Sequence, residues 1–293
     1  MTDAARPSAS RHNALALVWR RLVEQPSALI GMAVMGVILL ATILGPIVLV
    51  ESPSSNFQYQ DFIGSFAPPT AGHWLGTDNF GRDIAVRLIH GARYTLTIGF
   101  AAVIAGLVLG VPLGLVSGYF GGWVDLLVQR LVDIVLAFPS FLLALALIGV
   151  LGTGTGNIIA AVALTSFPRF ARLLRASVLS VKEMPYVEAA RAMGTSHLRI
   201  VLRDVLPNAT GPIIVQSSLE MATAILTASG LGFLGLGVQQ PIPEWGAMLG
   251  EARQYLFTYP HLLTYPGLCI MAVVLALNLI GDGLRDALDP RLK

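Results

Sequence analysis

The feature that most constrains this chain is a series of long runs without a charged side chain. Residues 28–50 are uncharged throughout, which as a helix reaches about 34 Å and covers a hydrocarbon core about 30 Å thick. Similar runs recur near 94–120, 134–151, 158–168, 210–236 and 262–280, broken only by one acid, Glu220. Charged residues make up 12% of the 293 and hydrophobic ones 55%, whereas about 25% of an ordinary soluble domain is charged. The expected fold is therefore an all-α polytopic membrane protein with six transmembrane helices.

In chain order, the boundaries follow from where polarity returns. Residues 1–27 carry Arg6, Arg11, Arg20 and Arg21. They lack the apolar core and cleavage site of a signal peptide, so they are expected to stay as a cytoplasmic segment. Transmembrane helix 1 is expected at 28–50. Residues 51–93, with their prolines, glycines and charges, are expected to form an extracytoplasmic loop with a short interfacial helix. A five-helix core over 94–284 and a cytoplasmic tail over 285–293 complete the reading.

Orientation follows from counting Lys and Arg. With the N-terminus inside and six spans, the inner segments hold four arginines before the first run, Arg130, seven basic residues from Arg169 to Arg203 and three in the tail. The outer segments hold Arg82, Arg87, Arg93 and Arg253. Fifteen against four satisfies the positive-inside rule and places both ends in the cytoplasm.

Two features inside the runs stand out. Ala102, Gly106, Gly110, Gly114 and Gly118 repeat every four residues, so one helix face carries almost no side chain and a second helix can pack closely on it. Pro112 lies within this run and is expected to kink it. Glu220 lies about 15 Å deep in the fifth run, where charge is costly. A hydrogen-bonded place at a helix interface is its expected role, and lining a path through the bundle its second.

One long polar stretch between two apolar runs is 186–208, YVEAARAMGTSHLRIVLRDVLPN. Val187, Ala190, Leu198, Val201, Leu202 and Val205 recur at three- and four-residue spacing, the pattern of one apolar helix face. Arg191, Arg199 and Arg203 fall elsewhere. Glu188 suits the first turn of a helix, Gly194 suits a helix-closing left-handed turn, and Pro207 is expected to end the second helix. The segment reads as a helical hairpin at the cytoplasmic face.

Several chemistries find no support. Only Lys182 and Lys293 occur, neither in a GxxxxGK[ST] frame, so no nucleotide pocket is expected and the chain is not expected to be an enzyme. Gly230, Gly232 and Gly235 fit GxGxxG but end an apolar run, with no strand before them. The histidines His12, His73, His90, His197 and His261 are scattered, so no metal site is expected. No GxSxG elbow occurs, no catalytic residue is assigned, and a net charge of +2 gives no case for nucleic acid. Cys269 stands alone in the last run and reads as a core residue.

Beyond these features, HWLGTDNFGRD at 73–83, RLIHGAR at 87–93, GYFGG at 118–122, FLGLGVQQPIPEWGAML at 233–249 and NLIGDGLRDALDPRLK at 278–293 resemble the C-type permease subunit of dipeptide and oligopeptide ABC importers. Glu188-Ala189-Ala190, Gly194 and Leu206-Pro207 are similar to the EAA loop of such permeases. Asp204 departs from that pattern, which has an aliphatic residue two positions before Leu-Pro.

The resemblance implies a type I importer permease core (MetI-like) in the bacterial inner membrane, moving dipeptides, oligopeptides, glutathione or, as in some members of the family, nickel complexes. It also implies a heterodimer with a B-type permease, one or two ATPase subunits that bind ATP and magnesium, and an extracytoplasmic solute-binding protein. The coupling residues it implies are Tyr186, Glu188, Ala189, Ala190, Arg191, Gly194, Ser196 and Arg203. Loops 64–93 and 238–258 would face the binding protein. The rival readings are an ion-gradient-driven secondary transporter, which would want inverted repeats or an ionisable relay, and a channel-like or structural subunit.

Overall fold

The computed structural model describes residues 11–48 and 56–288. Arg6, the end of the first expected span at 49–50, loop residues 51–55 and tail residues 289–293 lie outside the described residues. Twelve α-helices are described, joined by short 3-10 or π segments, and the only β pairing among the described residues is an isolated bridge between Thr77 and Asp83.

Helix α1 (Arg11–Glu24) is followed by α2 (Pro26–Val48), and Leu22 and Ala28 meet Ala287 in a small apolar cluster. Helix α3 (Ile84–Phe120) is 37 residues long. At about 56 Å it is far longer than a bilayer crossing needs. It begins ten residues before the apolar run does, because Asp83 caps it by accepting from the Val86 amide at 2.9 Å, and that cap fixes its start. Pro112 is carried inside the same helix.

Gly121 and Gly122, both at positive φ, turn the chain into α4 (Gly122–Leu136). The single third span expected over 134–151 is instead two elements. Helix α4 stops at Leu136, α5 (Ser140–Leu151) follows, and the two are bent by 88°. Pro139 is the cause: it disfavours helical backbone at Phe138 and donates no amide hydrogen.

Helix α6 (Thr155–Val181) packs along the glycine stripe of α3. A Cβ on Gly110 would lie 2.6 Å from the Phe167 carbonyl oxygen, and one on Gly118 would lie 2.9 Å from the Val178 Cβ. Gly106 faces Ser166 and Gly114 faces Ala171 in the same way. The bare face therefore lets two backbones touch, which the absence of a hydrophobic drive within lipid makes the main source of helix adhesion.

After α7 (Pro185–Ala192), α8 (His197–Arg199), a π segment (Ile200–Val205) and α9 (Leu206–Ala209), helix α10 (Gly211–Phe233) runs back through the bundle. Helices α11 (Trp245–Ala252) and α12 (His261–Leu288) complete the chain. Among the described residues, four helices, α2, α3, α6 and α12, are long and apolar enough to cross a membrane, and the bent pair α4–α5 makes up to five. Helix α10 falls short by apolarity, since Gln216, Ser217, Ser218 and Glu220 crowd its first half. The fifth expected span, 210–236, is α10, with Ile213, Ala224, Ile225 and Leu231 buried among its neighbours.

Candidate functional site

One end of α3 carries the 185–209 segment. Helix α7 opens with Pro185 in its first turn, where a missing amide hydrogen costs nothing. It closes in a Schellman turn: Gly194 at φ 77° donates to the Arg191 carbonyl at 2.9 Å, and Thr195 donates to that of Ala190 at 3.1 Å. Only glycine reaches that φ without strain. Val187 and Ala190 are buried against the bundle, whereas Tyr186, Glu188, Ala189, Arg191, Gly194, Ser196 and Arg203 are exposed.

The apolar face of the second half differs from the one the spacing predicts. Ile200, Val201 and Val205 are buried, but Leu198 and Leu202 are 70% and 53% exposed. The π segment over Ile200–Val205 is the reason, because an i→i+5 turn inserts a residue and shifts the phase of every side chain around it. Pro207 also does not end the helix: it lies in the first turn of α9, where proline fits. With Ser196, Arg199, Arg203 and Pro207, the two exposed leucines line an open hollow of about 710 Å³.

This segment is fastened to the end of α3. The Tyr119 hydroxyl and His197 Nδ1 are 2.9 Å apart, Arg191 stacks over the Tyr119 ring at 5.6 Å, and Lys182 donates to the Gly118 carbonyl at 3.0 Å. Tyr119 lies within the GYFGG stretch and His197 within the hairpin, but no spacing links residues 78 positions apart, so their contact is not legible in the sequence.

The three arginines of α6 each find a partner on another helix. Arg175 binds Asp125 with two bonds of 2.6 Å, and Arg172 donates to Asp133 at 2.7 Å, tying α6 to α4. Arg169 donates to Glu220 on α10 at 2.6 Å and to the Ser140 hydroxyl, at the start of α5, at 2.9 Å. Glu220 also accepts from Gln216 at 3.3 Å. The acid is held at a helix interface, with Arg169 as its counter-charge.

The other end of α3 is capped by loop 56–83 and α11. Asp78 accepts from the Phe80 and Arg82 amides and from Arg82 Nε at 2.6 Å, while Arg82 Nη2 donates to Glu251 at 2.6 Å. Arg87 approaches Asp78 and Glu251 at 3.5 Å. Both arginines are 1% exposed. Glu244 accepts from the amides of Gly246 and Ala247 and from the Thr95 hydroxyl, and Trp245 Nε1 donates to the Leu88 carbonyl at 2.9 Å. Burial pushes the Glu244 carboxyl above its ordinary range, partly offset by those donors. The motifs at 73–83, 87–93 and 241–249 are thus folded onto one another.

Comparison with known proteins bears on all these regions. The profile of the family described as "Binding-protein-dependent transport system inner membrane component" matches residues 110–293. That of the "N-terminal TM domain of oligopeptide transport permease C" matches 13–69. A dipeptide transport system permease protein of Alkalihalophilus pseudofirmus is 45% identical over 275 residues, which is 94% of this chain and 89% of the relative. A di/tripeptide transport system permease protein of Pseudomonas aeruginosa is 44% identical over 296 residues, 99% of this chain and 96% of the relative. A glutathione transport system permease protein of Pectobacterium atrosepticum is 42% identical over 275 residues, 94% and 90% of the two chains. Among solved structures, an inward-facing MetNI methionine ABC transporter chain superposes with a TM-score of 0.56 at 22% identity, over 69% of this chain and 96% of that one. That likeness concerns the fold.

Proposed function

Because the chain belongs to the family of inner membrane components of binding-protein-dependent transport systems, and is a permease subunit of an ATP-driven importer, we propose that its cargo is a short peptide. The dipeptide, di/tripeptide and glutathione permeases among its relatives support that reading.

The chain forms half of the translocation path, with a related B-type permease forming the other half. One or two ATPase subunits, which bind ATP and magnesium, dock on residues 185–209. A solute-binding protein delivers cargo at the end capped by α11. The α7 end and both termini face the cytoplasm, in keeping with the distribution of lysine and arginine.

The single observation that carries the coupling role is the two-sidedness of 185–209. Val187, Ala190, Ile200 and Val205 are locked into the core, while Tyr186, Glu188, Leu198, Arg199, Leu202 and Arg203 point outward. A short helix held this way moves as a body with α6 and α10 when a partner pushes on it. Glu188, Ala189 and Gly194 lie on its presented side, with Arg191 and Ser196, and Ala190 beneath them keys the helix to the bundle.

Glu188→Lys and Gly194→Pro test this directly. Proline cannot reach the φ of 77° that Gly194 adopts. Each change is expected to abolish ATP-dependent peptide uptake while membrane insertion, read by protease protection, persists. Normal uptake in both variants would exclude the role. An ion-gradient carrier, by contrast, would concentrate solute in vesicles holding this chain alone.

A further inference from the structure

Near the middle of α6 and α10, Arg169 and Glu220 form an ion pair at 2.6 Å beside the break between α4 and α5, where Ser140 accepts from the same guanidinium. The pair is not sealed. The Arg169 side chain is 35% exposed while that of Glu220 is 4% exposed, so the cation is reachable and the anion lies behind it. One turn along α6 from Arg169, Leu173 lines a cavity of about 750 Å³ between α6, α10 and α12, together with Asn208, Val215, Gln216, Leu219 and Arg285. Gln216 belongs to both sites, because it lines this cavity and donates to Glu220 at 3.3 Å. The cavity therefore begins beside Asn208, at the α7 end of the bundle, and reaches Gln216, the side chain that touches the acid of the pair.

Within a bundle, leaving either charge without its partner is costly, so an intramembrane ion pair is kept for structure or for exchange. A free peptide brings an ammonium at one end and a carboxylate at the other. When such a zwitterion enters, Arg169 can turn from Glu220 to the carboxylate and Glu220 can take the ammonium, with no charge bare at any stage. A lipid headgroup held through its phosphate alone would call for cations and leave Glu220 opposed. The presence of an acid and a base at the closed end favours the zwitterion.

We propose that Arg169 and Glu220, with Gln216 as guide, form a transient binding site for the charged termini of a peptide in transit, a proposal that rests on the peptide-import reading above. The site supplies selectivity in the permease itself, in addition to whatever selection precedes it.

The test uses the whole complex, with its second permease, ATPases and binding protein, reconstituted in proteoliposomes. Uptake of radiolabelled dialanine and ATP hydrolysis are measured together. Arg169→Gln and Glu220→Gln are each expected to lower the dialanine imported per ATP hydrolysed by about tenfold, and the exchange of the two charges in the double variant to recover it within about threefold. A ratio that does not change, or hydrolysis that falls in step with uptake, would overturn the proposal by making the pair purely structural.

Should the variants fail to assemble, photolabelling of the unaltered complex decides. Benzoylphenylalanyl-alanine is expected to label residues 169–173 or 216–220 during turnover, and labelling confined to other helices would overturn the proposal. Absence of dialanine uptake by the unaltered complex would instead overturn the peptide-import reading beneath it.

Discussion

The two ends of α3 are built from motif-rich segments, yet they treat charge in opposite ways. At the α11 end, Arg82 and Arg87 are buried to 1% exposure and compensated by Asp78 and Glu251. At the α7 end, Glu188, Arg191, Arg199 and Arg203 stand in the open with Leu198 and Leu202 between them. A buried network whose charges compensate one another resists change, because removing one member strands the rest. An exposed set of mixed character costs the fold little and is available to a partner. The same density of polar motif residues therefore means buried architecture at one end and an open surface at the other.

The largest test of that contrast is Arg82→Ala. It leaves Asp78 and Glu251 in a buried site with only Arg87 nearby, at 3.5 Å from each. The expected cost is about 3–5 kcal/mol, typical of breaking one side of a buried pair. Thermal unfolding of the detergent-solubilised complex reads it, and a melting temperature within experimental scatter of the unaltered protein would dissolve the distinction between the two ends.

A smaller effect at the same end comes from Glu244. Its carboxyl is held above the ordinary glutamate range by burial, so the folded chain keeps its proton at pH values where the unfolded chain has lost it. Stability from this group is present at low pH and declines as pH rises from the ordinary glutamate value through the raised one. Glu244→Gln, whose single amide oxygen keeps one of the two acceptor positions used by the Gly246 and Ala247 amides and which does not titrate, is expected to remove that decline. Unfolding measured across the acid-to-neutral range checks it, and an unchanged slope would place the titration elsewhere.

How much of this was legible in the chain depends on the range of the interaction. The uncharged run that became α2, the glycine stripe of α3 and the turn at Gly194 are local, each set by residues within a few positions, and each is plain in the sequence. Pro139 was an equally local signal for the break between α4 and α5, masked by the unbroken hydrophobicity around it. Glu220 reads as an oddity until Arg169, 51 positions away, supplies its counter-charge. Arg82 and Glu251 are separated by 169 positions, and no periodicity links them. The exposure of Leu198 and Leu202 had a different cause. Spacing arguments assume 3.6 residues per turn, and a π segment breaks that assumption while leaving the composition untouched.

Those two leucines give the smallest expected effect on the fold and the sharpest test of the comparison. Leu198 is 70% and Leu202 53% exposed, so the double change Leu198→Ser with Leu202→Ser removes little buried surface. The expected shift in unfolding free energy is within about 0.5 kcal/mol for each site. In the assembled importer, however, an exposed apolar pair beside Arg199 and Arg203 is the chemistry of an interface centre, and truncating such a pair weakens docking well beyond its effect on the subunit. The double variant is therefore expected to retain its melting temperature and lose ATPase co-purification together with ATP-driven uptake. If co-purification survives, the partner grips the segment through Glu188 and Arg191 alone. If melting falls instead, the leucines belong to the core, and the α7 end is no more open than the α11 end.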